Sequence, residues 1–173
     1  MIITGGKYRG RKIIAPDENI TRPTLSKVRM GVFNTLYSML GDFNGLSFLD
    51  VFGGSGIMGL EALSRGFKKV LVFEKNPSVA GIIKRNYQTL GLSANLNIGD
   101  SLKLIDKIDE HYDVVYIDPP YQSDMYNIIL DKMYNKAKII VAEHSKYNIE
   151  SNYAPIKSKN YGGKMVSYYS NIL

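Results

Sequence analysis

The stretch LDVFGGSGIMGLEAL, from Leu49 to Leu63, decides the fold class. An apolar run that ends in Asp50 leads into a glycine-rich segment and then into a helical pattern of apolar residues. Gly54, Gly56 and Gly59 satisfy the pattern G-x-G-x-x-G, which is a weak signal when it stands alone. Ligands of open α/β sheets bind beyond the carboxyl ends of the strands, where glycines let the backbone approach them closely. The stretch therefore predicts a strand, a ligand-binding loop and a helix.

On the carboxyl side of this stretch, short apolar strands alternate with helical segments. The helix after the glycines is expected to end before Gly66. Further strands are predicted at KVLVFE, ANLNIG, YDVVYID and AKIIVAEH, and further helices from about Pro77 to Leu90, from Ser101, and from Met125 to Tyr134. Such alternation is typical of an α/β, doubly wound, mostly parallel sheet.

The two ends of the chain differ from this pattern. PIKSKNYGGKMVSYYSNI predicts an antiparallel hairpin that turns at Gly162-Gly163, which brings the sheet to seven strands. IITGGKYRGRKIIAP predicts a short β-ribbon, followed by a helix capped near Thr24 or Ser26. We therefore expect an N-terminal extension, 1–40, on a main domain, 41–173.

The composition limits the classes of function. The chain has 173 residues, 45% of them apolar and 22% charged, as expected of about one globular domain. It has no cysteine, which excludes disulfides and thiolate metal sites, and its two histidines are too few to indicate a metal centre. No apolar run approaches the ~18 residues of a membrane span, and no signal-like start is present. We expect a cytoplasmic protein without a metal.

The net charge of +6 is unevenly distributed. Residues 1–40 carry seven basic and two acidic side chains, and residues 151–173 carry three lysines and no acid. Basic ends on a nearly neutral body indicate a polyanionic partner, although a general solubilising bias would give the same counts. The candidate residues for binding such a partner are Lys7, Arg9, Arg11, Arg22, Lys27 and Arg29.

Two cofactors satisfy the glycine loop, a nicotinamide dinucleotide and S-adenosylmethionine. Glu74 ends the second strand, where a carboxylate can bind ribose hydroxyls. Asp50 can face a positively charged methionine group but would repel a pyrophosphate, and Asp100 can hold an adenine amino group. These residues favour S-adenosylmethionine. The candidate cofactor-binding residues are Asp50, Phe52, Gly53, Gly54, Ser55, Gly56, Glu74, Lys75, Asp100, Ser101 and Asp118.

The fourth strand ends at Asp118-Pro119-Pro120-Tyr121, beside the same predicted cleft. A carboxylate and a proline carbonyl offer hydrogen-bond acceptors, and neither proline offers a backbone donor. This edge matches an exocyclic amino group of a nucleobase, with Tyr121 as a stacking surface. Asp118, Pro119 and Tyr121 are the candidate catalytic residues, and an ordinary aspartate pKa is expected to suit Asp118, because its predicted role is to orient the amine.

These motifs together resemble the RsmD family of bacterial small-subunit rRNA guanine-N2 methyltransferases. The resemblance covers almost the whole chain, in the blocks GGKYRGRK (Gly5–Lys12), TRPT (Thr21–Thr24), KVRMGVFN (Lys27–Asn34), GLEALSRG (Gly59–Gly66), FEKN (Phe73–Asn76), DPPY (Asp118–Tyr121) and EH (Glu143-His144). It implies a Rossmann-like class I methyltransferase fold, S-adenosylmethionine as cofactor, and methylation of one guanine N2 in 16S rRNA of the assembled or assembling small subunit. A monomer is expected.

Two stretches depart from the family pattern. The chain has Gly53 where relatives usually have alanine, which we expect to make the loop more flexible. It also has YGGKM at Tyr161–Met165, where an acid and a threonine are expected after Tyr-Gly.

Other functions remain open on the sequence. A DNA adenine-N6 methyltransferase would use the same acceptor edge but usually needs an insertion for target recognition. A nicotinamide oxidoreductase leaves DPPY unexplained, and a non-catalytic RNA-binding module leaves the cofactor loop unexplained. His144 is expected to have an orienting or structural role.

Overall fold

The computed structural model describes residues 1–17, 25–120, 124–145, 149 and 151–172. Seven strands form one sheet in the order β3-β2-β1-β4-β5-β7-β6. The strands are β1 Ser47–Asp50, β2 Lys69–Glu74, β3 Leu96–Ile98, β4 Tyr112–Ile117, β5 Ala137–Ser145, β6 Lys157–Asn160 and β7 Lys164–Tyr169. The first five are parallel, and β7 pairs antiparallel with both β5 and β6. The doubly wound sheet with its C-terminal hairpin is confirmed.

In the described part of the chain, five helices cover the two faces of the sheet. They are α1 Ser26–Leu40, α2 Ile57–Ser64, α3 Pro77–Thr89, α4 Ser101–Ile105 and α5 Met125–Met133. The helices α1, α2 and α3 pack on one face through residues such as Phe33, Leu60 and Ile83. The helices α4 and α5 pack on the other face through Ile105 and Ile129. Strands buried on both faces have nearly continuous apolar sequence, which is why they could be located from the sequence.

The N-terminal segment differs in detail from its predicted form. The expected ribbon is reduced to one antiparallel bridge, between Ile2 and Lys12, in the described part of the chain. Leu25 occupies the N-cap position of α1 without a side-chain cap, so the prediction of a cap at Ser26 was wrong. Thr24 lies outside the described residues. Ile3 and Val28 belong to the core cluster beneath α1 and α2, so the segment packs on the body of the protein.

Strand order reverses between β1 and β4, which lie side by side with Asp50 opposite Tyr116. This reversal is the switch point at which open α/β sheets bind ligands. Because β7 is antiparallel, its first residues lie at the same edge of the sheet as the carboxyl end of β5. The carboxyl ends of five strands and the start of β7 thus meet at one edge. No described helix is long and apolar enough to cross a membrane.

Candidate active site

The glycine loop follows β1 directly and leads into α2. Gly54 and Gly56 have φ angles of 53° and 77°, which favour glycine. Gly53 has a different reason to be glycine, since a Cβ at this position would lie 2.5 Å from Cγ1 of Val72. Its backbone N–H donates to the carbonyl of Phe73 at 2.7 Å. Gly53 is therefore packed tightly against β2, and a more flexible loop stays a prediction.

Asp50 ends β1 and is almost completely buried, with 1% of its surface exposed. Its Oδ1 accepts a hydrogen bond from the Phe52 N–H at 3.3 Å, while Oδ2 has no hydrogen-bond partner in the described structure. Burial raises the pKa of Asp50 to about 7, and the nearby carboxylates of Asp118 and Glu74 raise it as well. The hydrogen bond from the Phe52 N–H acts in the opposite direction and lowers this pKa. A buried carboxylate oxygen without a partner suits a ligand that brings a donor or a positive charge.

Glu74 ends β2 and faces the same loop. Its Oε2 accepts the N–H of Gly54 at 3.0 Å, and its Oε1 accepts the N–H of Asn76 at 2.8 Å. Each carboxylate oxygen can accept a further hydrogen bond. Glu74 therefore holds the loop in shape and can still accept hydrogen bonds from a ligand.

The other candidate cofactor residues have local partners. The Asp100 carboxylate caps α4 by accepting the N–H groups of Leu102 and Lys103, and it pairs with Lys75 at 3.6 Å. Ser101 Oγ donates to the carbonyl of Val51 at 2.7 Å. An adenine contact by Asp100 would therefore compete with its capping role.

Two more loop residues are also held internally. Ser55 Oγ accepts the N–H of Ile57 at 3.3 Å, and the half-buried Phe52 packs against the core beneath α4 and α5. In the described structure, Asp50 is the candidate carboxylate with a buried oxygen left unpartnered.

Asp118 follows β4, two residues beyond the partner of Asp50 in the sheet. Its side chain is 24% exposed, whereas Pro119 is buried. Burial and the neighbouring Glu143 raise the pKa of Asp118, and Lys164 lowers it. The expected ordinary pKa was therefore wrong, because two carboxylates share one poorly solvated site. Tyr121 lies outside the described residues.

Sequence reasoning missed a polar group next to Asp118, formed by Tyr116, Glu143 and Lys164. The Tyr116 hydroxyl donates to Glu143 Oε2 at 2.6 Å, and Lys164 Nζ lies 2.9 Å from Glu143 Oε1 and 3.8 Å from Asp118 Oδ1. The signal in the sequence was the lysine in the divergent stretch YGGKM. His144 contacts Ser167 Oγ at 2.9 Å through Nε2, in keeping with its expected orienting or structural role.

The basic residues of the N-terminal segment differ in exposure. Lys7, Arg9, Arg11 and Lys27 are exposed. The backbone N–H of Lys7 donates to Ser64 at the end of α2, and Arg11 Nη2 donates to Thr89 at the end of α3. Since α2 and α3 follow parallel strands, their ends lie opposite the edge that carries Asp118. Arg22 lies outside the described residues.

Arg29 corrects one prediction outright, because it is not available to RNA. Only 1% of its surface is exposed, and its Nε lies 3.3 Å from Glu61 Oε1. Its Nη2 donates to the Ile2 carbonyl at 2.8 Å and to Ser26 Oγ at 3.1 Å. Burial lowers the pKa of Arg29, and Glu61 opposes that shift. Arg29 thus pairs with an acid in the body of the protein.

Similarity to known proteins agrees with this architecture. The model of the family described as Conserved hypothetical protein 95 matches residues 1–170. The protein named ribosomal RNA small subunit methyltransferase D of Haemophilus influenzae is 37% identical over 129 residues, 71% of this chain. The chain belongs to the RsmD family. YlbH of Bacillus subtilis is 31% identical over 157 residues, which cover 84% of this RsmD-family chain.

The chain spans 83% of the Bacillus protein and 65% of the Haemophilus protein, just under two thirds of the latter. A crystal structure of a Haemophilus influenzae protein covers 99% of the chain and 98% of its own length, with a TM-score of 0.78 and 29% identity. An RNA methyltransferase of Salinibacter ruber, solved with S-adenosyl-L-homocysteine, has a TM-score of 0.66 and 14% identity over 87% of this chain and 95% of its own. This last likeness concerns the fold alone.

Proposed function

We propose that this RsmD-family protein transfers a methyl group from S-adenosylmethionine to the exocyclic N2 of a guanine in 16S rRNA of the small ribosomal subunit. The observation that carries the proposal is the pair of carboxylates on either side of the switch point. Asp50 has a buried oxygen without a partner, and Asp118 stands beyond the adjacent strand. The relative named ribosomal RNA small subunit methyltransferase D supports rRNA as the substrate.

The residues around the glycine loop fit the cofactor. Asp50 would face its positively charged methionine group, and the second lone pairs of the Glu74 oxygens would accept the ribose hydroxyls. When bound, S-adenosylmethionine supplies an electrophilic methyl group carried on a sulfonium. Asp100 is a weaker candidate for binding the adenine amino group, because its carboxylate also caps α4.

Asp118 acts on the acceptor amine. Its carboxylate accepts hydrogen bonds from the guanine N2 amino group, which holds the nitrogen lone pair in line with the transferred methyl group. As the nitrogen–carbon bond forms, the bond between the methyl carbon and the sulfonium sulfur would break and S-adenosylhomocysteine would leave. The nitrogen becomes positively charged and must lose a proton. The raised pKa of Asp118 makes its carboxylate a better acceptor for this proton than an ordinary aspartate would be. Pro119 would contribute a further acceptor through its carbonyl, and Tyr121 a stacking surface.

The proposal is tested by locating the product. Incubating the protein with labelled S-adenosylmethionine and either naked 16S rRNA or small subunits from an unmodified strain is expected to yield N2-methylguanosine. The product is read by mass spectrometry of nuclease digests. Label recovered as N6-methyladenine from DNA, or no transfer to any nucleic acid, would overturn the assignment.

The N-terminal extension, 1–40, is the proposed RNA-binding part of the molecule. Its exposed side chains Lys7, Arg9, Arg11 and Lys27 can contact phosphates, which fix the position of RNA without reading its sequence. Lys7, Arg9 and Arg11 would engage RNA that extends away from the acceptor edge, and Lys27 stands in the first turn of α1.

Neutralising Lys7, Arg9 and Arg11 together to glutamine is expected to weaken RNA binding without changing affinity for S-adenosylhomocysteine. Each lost phosphate contact should reduce the slope of log affinity against log salt by about 0.7–0.9. Filter binding across a salt series measures this. The matched control replaces the exposed lysines Lys103, Lys107 and Lys138, which lie outside the extension. Equal losses in the two triple variants would indicate a general charge effect instead of an RNA-binding extension.

A further inference from the structure

Two carboxylates and one ammonium group meet at the acceptor edge. Lys164 Nζ lies between them, 2.9 Å from Glu143 Oε1 and 3.8 Å from Asp118 Oδ1. The Glu143 side chain is 2% exposed, and its second oxygen accepts the Tyr116 hydroxyl at 2.6 Å. Glu143 is therefore fixed from both sides, and it holds Lys164 beside Asp118.

The sheet topology explains why these groups meet. Ser145 of β5 is paired with Lys164 at the start of β7, and Glu143 is paired with Val166. Side chains two residues apart on a strand share a face, so Lys164 lies diagonally beside Glu143 on the face covered by α1. The hairpin thus brings a lysine to a site where the strands β1, β4 and β5 place acidic side chains.

The titratable and charged groups around Asp118 come from each packed strand. Asp50 stands at the end of β1, Tyr116 on β4, Glu143 on β5 and Lys164 on β7. Arg29 on α1 faces Tyr116 and Glu143 and is paired with Glu61. Among these groups, Lys164 is the cation that faces Asp118 directly. Two like charges in one poorly solvated site cannot both remain ionised without such a partner.

We propose that Lys164 is a positioning residue that, anchored by Glu143, keeps Asp118 ionised and therefore able to accept hydrogen bonds from the acceptor amine. The inference rests on the proposed function for its consequence in catalysis. A protonated Asp118 would present a donor to an amino group that itself donates. Lys164 lies in YGGKM, where the chain departs from the family pattern. The proposal therefore assigns a role to a stretch that the resemblance left unexplained.

Lys164→Met and Glu143→Gln test the proposal because they remove opposite charges. Lys164→Met leaves two carboxylates without their cation, so the pH at which Asp118 is half ionised should rise by at least about one unit. Glu143→Gln removes the like charge, so the same midpoint should fall. Lys164→Arg should stay close to the original protein, and the double variant should lie between the two single variants.

Two readouts are needed, because burial raises the pKa of both Asp50 and Asp118 to about 7. The first is a carbon NMR titration of labelled aspartate carboxyl groups in the protein alone, with the Asp118 signal assigned from Asp118→Asn. The second is the pH profile of kcat/KM for RNA methylation, whose rising limb should move with the NMR midpoint. At pH 7, Lys164→Met is expected to lose at least about fivefold in kcat/KM. Thermal unfolding identifies any variant that fails to fold.

The outcomes separate this inference from the proposed function. NMR midpoints that move in opposite directions in the two single variants support the role of Lys164, whatever the RNA assay gives. An unmoved midpoint in Lys164→Met, or shifts in the same direction in both variants, would overturn it. A wild-type protein that does not methylate guanine would overturn the proposed function while leaving the NMR result intact.

Discussion

Replacing Asp118 by alanine is expected to lower the rate of methyl transfer by about 10²- to 10⁴-fold and to leave affinity for S-adenosylhomocysteine nearly unchanged. The alanine cannot accept hydrogen bonds from the amine, take its proton or hold its lone pair in line. Cofactor affinity should persist because Asp50, Glu74 and the glycine loop lie on the other side of the switch point. Single-turnover methylation and calorimetry measure the two effects separately.

Two matched variants sharpen this test. Asp118→Asn keeps a carbonyl oxygen and should retain more activity than Asp118→Ala, although it cannot take the proton. Glu74→Ala should show the reverse pattern, with S-adenosylhomocysteine binding weakened by about 1.5–3 kcal/mol for each lost hydrogen bond to the charged carboxylate. If Asp118→Ala transfers methyl groups at nearly the original rate, the orientation mechanism is wrong.

Activity should also increase with pH through the raised pKa of Asp118, because only the ionised carboxylate can accept hydrogen bonds from the amine through both oxygens and then take its proton. The sequence suggested an ordinary pKa, since one aspartate in a motif reveals nothing about its neighbours. Glu143 stands 25 residues later in the chain and Lys164 another 21. Their approach to Asp118 depends on the pairing of β5 with β7, so the local electrostatics could not be predicted from the motif.

Features encoded locally could be predicted. The parallel strands have apolar runs, α3 has proline at its start and Gly91 beyond its end, and the loop before α2 has its glycines. The capping role of Asp100 was also visible in principle, since an aspartate directly before a helix is a common N-cap. It was interpreted as an adenine contact because the position alone supports both roles.

The basic N-terminal segment shows the limit of charge counting. Arg29 and Lys27 are neighbours in sequence on the same helix, yet Lys27 is exposed and Arg29 is buried against α2. A count of charges treats both as surface groups. Burial depends on which face of α1 packs against the body of the protein, and on Glu61 being there to pair with the guanidinium.

Replacing Glu61 by glutamine is expected to destabilise the fold by about 3 kcal/mol or more, the range for breaking a buried ion pair. Glu61 is fully buried and accepts hydrogen bonds from the N–H and Oγ1 of Thr4, at 2.7 and 2.8 Å. It also pairs with Arg29 and with Arg65, whose Nε lies 3.2 Å from Oε2. The variant keeps the shape of the side chain but leaves two arginines without their carboxylate.

Thermal and denaturant unfolding measure this loss. For a chain of this size, about 2–4 °C in Tm accompanies each kcal/mol, so the melting temperature should fall by roughly 6–12 °C. Glu110→Gln is the matched control, because the Lys69–Glu110 pair is about half exposed and should contribute less than about 1 kcal/mol.

Arg29→Met should also lower Tm while leaving the salt slope of RNA binding unchanged, since a guanidinium buried against Glu61 does not contact phosphate. If Arg29→Met instead reduced the salt slope of RNA binding and left Tm unchanged, Arg29 would be a phosphate-contacting residue and not a buried partner of Glu61.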